Sequence, residues 1–225
     1  MRFGCNLVNG KVEGSKVGCA FAIDFKKKDG GSFMSDDVFG HLCTNYGSKW
    51  QLDGRYFDGV DDYMDCGENV RPVSAVSVSA RLKPIAFQQY GTAISAGRSG
   101  GYMLFYPSDP DVKFYVYTTA WQSISIPQAD ISLNNWHQFI LTYDQTNLKI
   151  FMNGVEKGSI PLSGNITYDG KPCIIGGYVS ATPPYAPSAY FKGLIDEVRI
   201  YNRALTAEEI KAHWLGSRVP KVRQL

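Results

Sequence analysis

The chain has 225 residues, 44% of them hydrophobic and 20% charged, with a formal net charge of +2. That length suits one large all-β unit or two small domains, and so small a charge leaves no electrostatic footprint for nucleic acid. The mix leans towards strands and tight turns, with 14 Tyr, 12 Phe and 23 Gly.

The opening residues Met1 to Asn6 show no apolar run before a small-residue cleavage site, so no signal peptide is expected. No stretch is long and apolar enough for a membrane helix, so no membrane insertion is expected either. Either the protein stays in the cell, or an extracellular, cell-surface or virion location is reached by another route, such as incorporation into a virus particle or a leader already trimmed.

In chain order, Ala20–Phe25 reads as a strand, and Arg55-Tyr56-Phe57 as another that ends at the turn signal Asp58-Gly59. Strand patterns follow at Ala75–Leu82, Thr92–Ala96 and Tyr102–Tyr106, then a loop over Tyr106–Asp111, then Lys113–Thr118 and Ser123–Ile126. Trp136–Thr142 alternates with period two, placing Phe139 and Leu141 opposite Gln138 and Ile140. A turn over Asp144–Asn147 leads into Leu148–Met152, and Asn153-Gly154 closes a second hairpin. Both central positions of a type I′ turn need positive φ, which Asn-Gly meets most cheaply. Ala181–Ala189 is a Pro-rich loop, and Leu194–Tyr201 returns to strand. One helix is expected: Thr206 and Glu209 form a capping box, Ala207–Leu215 follows with Ile210 and Trp214 on one face, and Gly216 is placed to stop it. Many short strands with turns between them and a single late helix predict an all-β sandwich or barrel in one domain.

Five cysteines (Cys5, Cys19, Cys43, Cys66, Cys173) make an odd set without a C-x-x-C pair, so a fully paired framework is excluded. A Cys5–Cys19 disulfide stays open. His41-Leu-Cys43 is a faint metal hint, better read as a loop histidine beside a buried small residue. Asp58, Asp61, Asp62 and Asp65 form an acidic cluster, read as a solvated turn rather than a cation site. Gly97-Arg98-Ser99-Gly100-Gly101 matches the G-x-S-x-G pattern, but a strand follows it, not the helix that a nucleophile elbow needs. His137 and His213 have no nucleophile partner in the sequence, so no catalytic residue is expected. A ligand surface is expected from aromatics: Tyr106 and Trp121, among neighbours Tyr102, Tyr115 and Tyr117, and Tyr178, Tyr185 and Tyr190 flanking the Pro-rich loop. Period two requires about half of the strand aromatics to be core, and this pattern alone does not say which.

Three ordered segments carry a resemblance: Gly54–Tyr63, Trp136–Asp144 with Phe151–Val155, and Tyr190–Ile210 around Asp196-Glu-Val-Arg-Ile200. Together they resemble the laminin-G-like domains of the concanavalin-A-like lectin/glucanase superfamily. The resemblance implies a two-sheet antiparallel jelly-roll sandwich with one short C-terminal helix, whose first and last strands are neighbours. It spans 21–216, leaving 1–20 as an added strand or arm and 217–225 as a basic tail. Asp36–Leu42 departs from the family's usual loop.

If Leu194, Val198 and Ile200 face the core, period two places Asp196 among them, where a carboxylate must find donors or a cation. The resemblance implies a structural Ca²⁺ there, held by Asp196 with carbonyls near Asp24 or Asp53-Gly54. The alternative is a β-bulge that turns Asp196 outward, or hydrogen bonds to backbone N–H groups. Glucanases of this fold carry an E-x-D-x-x-E string, which this chain lacks. The expectation is a non-catalytic module that binds carbohydrate or a glycoprotein surface. The alternative is a structural or adhesion protein, a virion decoration, fibre or appendage component, contacting other protein chains in an assembly.

Overall fold

The structure is a computed structural model that describes residues 18–25, 31–68, 70–179 and 187–217. Alternation decides its long strands. In β7 (Val76–Pro84), Val76, Val78, Ala80 and Leu82 join the core, leaving Ser77, Ser79, Arg81 and Lys83 on the other face. In β12 (His137–Tyr143), Phe139, Leu141 and Tyr143 do the same.

Two antiparallel sheets of eight strands result. The first is ordered β14 (Val155–Pro161), β13 (Asn147–Met152), β12, β7, β18 (Lys192–Tyr201), β5 (Gly54–Asp58), β4 (Lys49–Gln51). β1 (Cys19–Asp24) also pairs with β18, so the first and last described strands are neighbours. The second sheet is ordered β11 (Trp121–Pro127), β10 (Asp111–Tyr117), β9 (Tyr102–Ser108), β8 (Ile94–Ala96), β15 (Cys173–Ile175), β6 (Tyr63–Asp65), β3 (Leu42–Tyr46), β2 (Ser32–Met34). The expected loop after Tyr106 is a tight turn instead: β9 runs to Ser108, which pairs with Asp111.

The inner faces meet through rings. Phe139 of the first sheet lies 5.4 Å from Phe105 and 5.7 Å from Phe114 of the second. Each buried Phe contributes about 2–3 kcal/mol by burial, and each edge-on ring contact about 1 kcal/mol more.

The Asn153-Gly154 turn has the required geometry, with φ of 55° and 79°. Asn153 also locks it from the side, because its Oδ1 accepts the Gln138 N–H at 2.9 Å. A Cβ on Gly154 would sit 3.1 Å from Trp214, so the same glycine lets the helix approach.

That helix, α1 (Ala207–Ser217), runs one residue beyond Gly216. Its capping box forms as expected: Thr206 Oγ1 accepts the Glu209 N–H at 3.3 Å, and Glu209 Oε2 accepts the Thr206 N–H at 2.9 Å. Arg203 then grips Glu209 with two bonds of 2.7 Å. Ile210 packs with Ala22, Ile140, Phe151 and Tyr201 on the outer face of the first sheet. Ile140, opposite Phe139 in the alternation, is therefore covered by the helix rather than exposed. No described helix is long and apolar enough to cross a membrane.

Candidate functional site

The outer face of the second sheet carries a run of rings. On β10, Val112, Phe114 and Val116 point inward, which leaves Tyr115 and Tyr117 outside. Trp121, opposite Tyr117 on β11, lies on the same face.

Tyr106 reaches this face through an irregularity. By strict period two it would share the core side with Tyr102 and Leu104. Instead the β9–β10 register slips, with Met103 opposite Tyr115 and Tyr106 opposite Lys113. Phe105 takes a φ of 62°, so Leu104 and Phe105 are both fully buried and Tyr106 emerges half-buried on the outside. A bulge thus re-aims the residue at the centre of the surface.

The rings touch in sequence. Tyr117–Trp121, Trp121–Tyr115 and Tyr115–Tyr106 have centroids 5.2, 5.8 and 5.3 Å apart, each pair nearly perpendicular. Tyr106 continues to Tyr90 at 5.3 Å and to Tyr178 at 6.1 Å. The Arg98 guanidinium lies 5.5 Å from the Tyr178 ring, and the Tyr178 hydroxyl donates to Arg98 O at 2.9 Å. Burial and the neighbouring phenols push Tyr106 up to about 12, so its hydroxyl stays protonated at neutral pH and can both donate and accept. Such a herringbone offers apolar ring faces beside polar edges, which suits a sugar ring.

A short hairpin, β16 (Gly177–Tyr178) and β17 (Ala189–Tyr190), crosses the middle of this face. Ser95 Oγ pins it by donating to Gly177 O at 2.9 Å. Its two tyrosines go to opposite sides. Tyr178 joins the platform, whereas Tyr190 joins Tyr63 at 6.5 Å, and Tyr63 stacks on Tyr46 at 4.4 Å. Of the expected ligand residues, Tyr106, Trp121 and Tyr178 come together, Tyr190 lies in a separate group, and Tyr185 falls outside the described residues. Sequence reading missed Tyr90 and Arg98. Arg98 was visible only as a variable position in the G-x-S-x-G pattern, whose loop joins β8 to β9 and is held by Asp169, Oδ2 of which accepts the Arg98 and Ser99 N–H groups at 3.0 and 2.7 Å.

Asp196 lies elsewhere, on the first sheet. A bulge between Ile195 and Glu197 corrects the expected facing: Ile195, not Leu194, enters the core with Val198 and Ile200. Asp196 is buried beside Arg81, whose Nη1 donates to its Oδ2 at 2.7 Å. Arg81 in turn lies 4.4 Å from the Trp136 ring. The bulge marks where the neighbour of β18 changes from β5 to β1, so Asp24 pairs opposite Glu197, and a Cβ on Gly54 would meet Ile195 O at 2.9 Å. Asp53 is exposed. Among the described residues, the carboxylates of Asp24, Asp53 and Asp196 do not gather as a three-ligand set. A guanidinium already meets the buried carboxylate of Asp196, so a calcium ion there would share that oxygen donor with Arg81 and draw most of its 6–8 oxygens from backbone carbonyls.

Asp58, Asp61 and Asp62 do converge, their oxygens within 4.8 Å. Asp58 Oδ1 accepts the Val60 and Asp61 N–H groups and Asp62 Oδ2 accepts the Asp58 N–H, the arrangement of a self-capped turn. Cys43, Cys66 and Cys173 are buried free thiols, while Cys19 is disulfide-bonded; Cys5, the partner left open by the sequence, lies outside the described residues. His41 Nε2 lies 3.0 Å from Ala20 O, a backbone contact and not a metal set with Cys43.

A laminin-G-type profile, described as the concanavalin A-like lectin/glucanases superfamily, matches residues 58–211. The chain belongs to this superfamily. Its solved structural relatives include the ligand-binding domain of botulinum neurotoxin serotype D in complex with N-acetylneuraminic acid, at 13% identity and a TM-score of 0.71, with 88% of this chain and 51% of that one covered. The binding domain of botulinum neurotoxin DC in complex with rat synaptotagmin II is similar at 14% identity and a TM-score of 0.68, covering 89% and 52%. The receptor-binding domain of botulinum neurotoxin D gives 13%, 0.70, 90% and 53%. The chain spans about half the length of these structures, and at such identities the likeness is one of fold. No curated protein sequence matches it. The superfamily assignment agrees with the two-sheet jelly roll and with the pairing of β1 and β18.

Proposed function

We propose that the protein is a non-catalytic carbohydrate-binding module whose binding surface is the platform of Trp121, Tyr117, Tyr115, Tyr106, Tyr90 and Tyr178. The observation that carries this reading is the contiguous herringbone on the outer face of the second sheet, with Tyr106 brought there by a bulge. The bulge keeps Phe105 in the core and turns Tyr106 out onto the platform. The superfamily membership supports a binding role, and the N-acetylneuraminic acid carried by one structural relative is in keeping with a sugar ligand. The missing E-x-D-x-x-E string and the placement of Ser99 in a strand-to-strand loop support the absence of catalysis. Within the scaffold, Arg81 meets the charge of Asp196.

A glycan array tests the proposal. The expected result is retention on at least one carbohydrate class, lost in Trp121→Ala. Trp121 is half-buried at the end of the run, so the substitution leaves melting nearly unchanged. An array without any bound glycan, or one in which Trp121→Ala binds as the parent does, overturns it.

A further inference from the structure

The core holds three thiols side by side. Cys43 on β3, Cys66 just past β6 and Cys173 on β15 are buried in one core cluster. β3 and β6 pair with Thr44 opposite Asp65, Asn45 opposite Met64 and Tyr46 opposite Tyr63, so one further step sets Cys66 opposite Cys43. On its other side β6 pairs with β15 through Asp65–Ile174 and Met64–Ile175, and the same step sets Cys66 opposite Cys173. Cys66 therefore has a cross-strand thiol on each side.

Backbone hydrogen bonds tell the two neighbours apart. A residue of an antiparallel strand sends its N–H and C=O to the same side, and successive residues alternate. The Cys66 N–H donates to Cys173 O at 2.9 Å, so Cys66 turns its backbone towards β15 and away from β3. The Asn45 N–H donates to Gly31 O at 2.6 Å, on the β2 side, and by alternation Cys43 turns the same way. Cys43 and Cys66 are thus a non-hydrogen-bonded pair, in which Cα atoms lie about 4.5 Å apart and side chains come closest. That separation falls within the roughly 4.4–6.8 Å that a disulfide spans. The side chains already meet: the Cys66 thiol hydrogen-bonds with the Cys43 sulfur, and the Cys43 thiol donates to His41 O at 3.8 Å. Cys173 is engaged elsewhere. Its N–H donates past Cys66 to Gly67 O at 2.8 Å, and its thiol hydrogen-bonds with Tyr102.

We propose that Cys43 and Cys66 are a redox site that closes to a disulfide under oxidising conditions, with Cys173 left as a thiol. The oxidant is a low-molecular-weight disulfide such as glutathione disulfide. One cysteine thiolate attacks it, forming a mixed disulfide and releasing one glutathione thiol. The second cysteine thiolate then attacks the protein sulfur of the mixed disulfide and displaces the other glutathione. Two cysteine thiols lose two electrons and two protons, and one glutathione disulfide takes them up to become two glutathione thiols. Burial keeps a reagent of that size from the closed sandwich, so the exchange takes place as the second sheet assembles. Residues 43–66 carry β3 and β6 of the second sheet and β4 and β5 of the first, so the bond closes a loop that passes through both sheets. The site is independent of the carbohydrate platform.

For the test, the full chain is refolded from denaturant and reductant, or made by cell-free synthesis where refolding fails. One preparation contains glutathione disulfide with glutathione, the other reductant alone. The soluble folded fraction is alkylated in denaturant and its peptides are mapped by mass spectrometry. The oxidised preparation is expected to yield a Cys43–Cys66 linked peptide, with Cys173 alkylated. Cys173→Ser keeps the link, and Cys43→Ser or Cys66→Ser loses it. In Cys5→Ser with Cys19→Ser, where the core thiols alone remain, the oxidised form melts about 5–10 °C above the reduced one. Should that double variant fail to fold, the map of the parent decides. Folded, oxidised parent with all three core cysteines alkylated overturns the proposal. So does a link from Cys66 to Cys173, or equal melting of the oxidised and reduced double variant.

Discussion

Arg81 is 21% exposed and its partner Asp196 only 2%, so removing the guanidinium leaves a buried carboxylate without its cation. Arg81→Leu is expected to destabilise the fold by about 3 kcal/mol, read from urea melts. If the guanidinium has the role of a metal, EDTA and added calcium leave the melting temperature of the parent unchanged. Asp196 also shows why period two failed at this point. A bulge adds one residue to a strand without changing its composition, so Leu194, Val198 and Ile200 still look like one face in the sequence. The same event at Leu104–Phe105 hid the facing of Tyr106. Both residues stood out as chemistry in the sequence, and both needed the register to show where they point.

At the scale of elements, α1 is the most legible part. The Thr206–Glu209 box and Ile210 sit as the sequence indicates, because a cap and its helix are set by local spacing. Thr206→Ala is expected to cost about 1 kcal/mol. What the sequence left hidden is His213, buried under the helix with Nε2 3.1 Å from the Tyr201 hydroxyl. Burial first, then Arg199, pushes it down from 6.5 to about 3, opposed by Glu209. The unfolded chain therefore binds a proton below pH 6.5 that the folded one refuses. Stability is unaffected by this group above that pH and falls as acid is added from about 6.5 towards about 3, by at most about 1.4 kcal/mol per unit. Between pH 6.5 and 5, His213→Asn should flatten the slope of stability against pH. An unchanged slope would mean that the imidazole already charges in place. Strands β2–β4, β6 and β15–β17, none longer than five residues, carry no strand signal of their own in the sequence. They are too short to show alternation, and long-range pairing defines them.

On the whole-molecule scale, the two sheets enclose Cys43, Cys66 and Cys173, and burial pushes the thiols of Cys66 and Cys173 up, the latter to about 12. They should resist alkylation until the sandwich unfolds, so peptide mapping should find all three labelled in denaturant and none in buffer. Labelling of any one in buffer would mean that the core opens locally. The sandwich itself was readable because long strands and turns such as Asn153-Gly154 carry strong local signals. The surface was readable only as a supply of aromatics, since the outer face becomes one platform only when β9, β10, β11 and the hairpin lie side by side.

The four tryptophans allow the platform to be tested directly. Trp50, Trp136 and Trp214 lie outside it and Trp121 within it, so the indole N–H signals of a ¹⁵N-labelled chain report position. On titration with a glycan that the chain retains, the Trp121 signal is expected to shift while the other three stay in place. A shift at Trp136 or Trp214, with Trp121 unmoved, would place the sugar on the first sheet and contradict it.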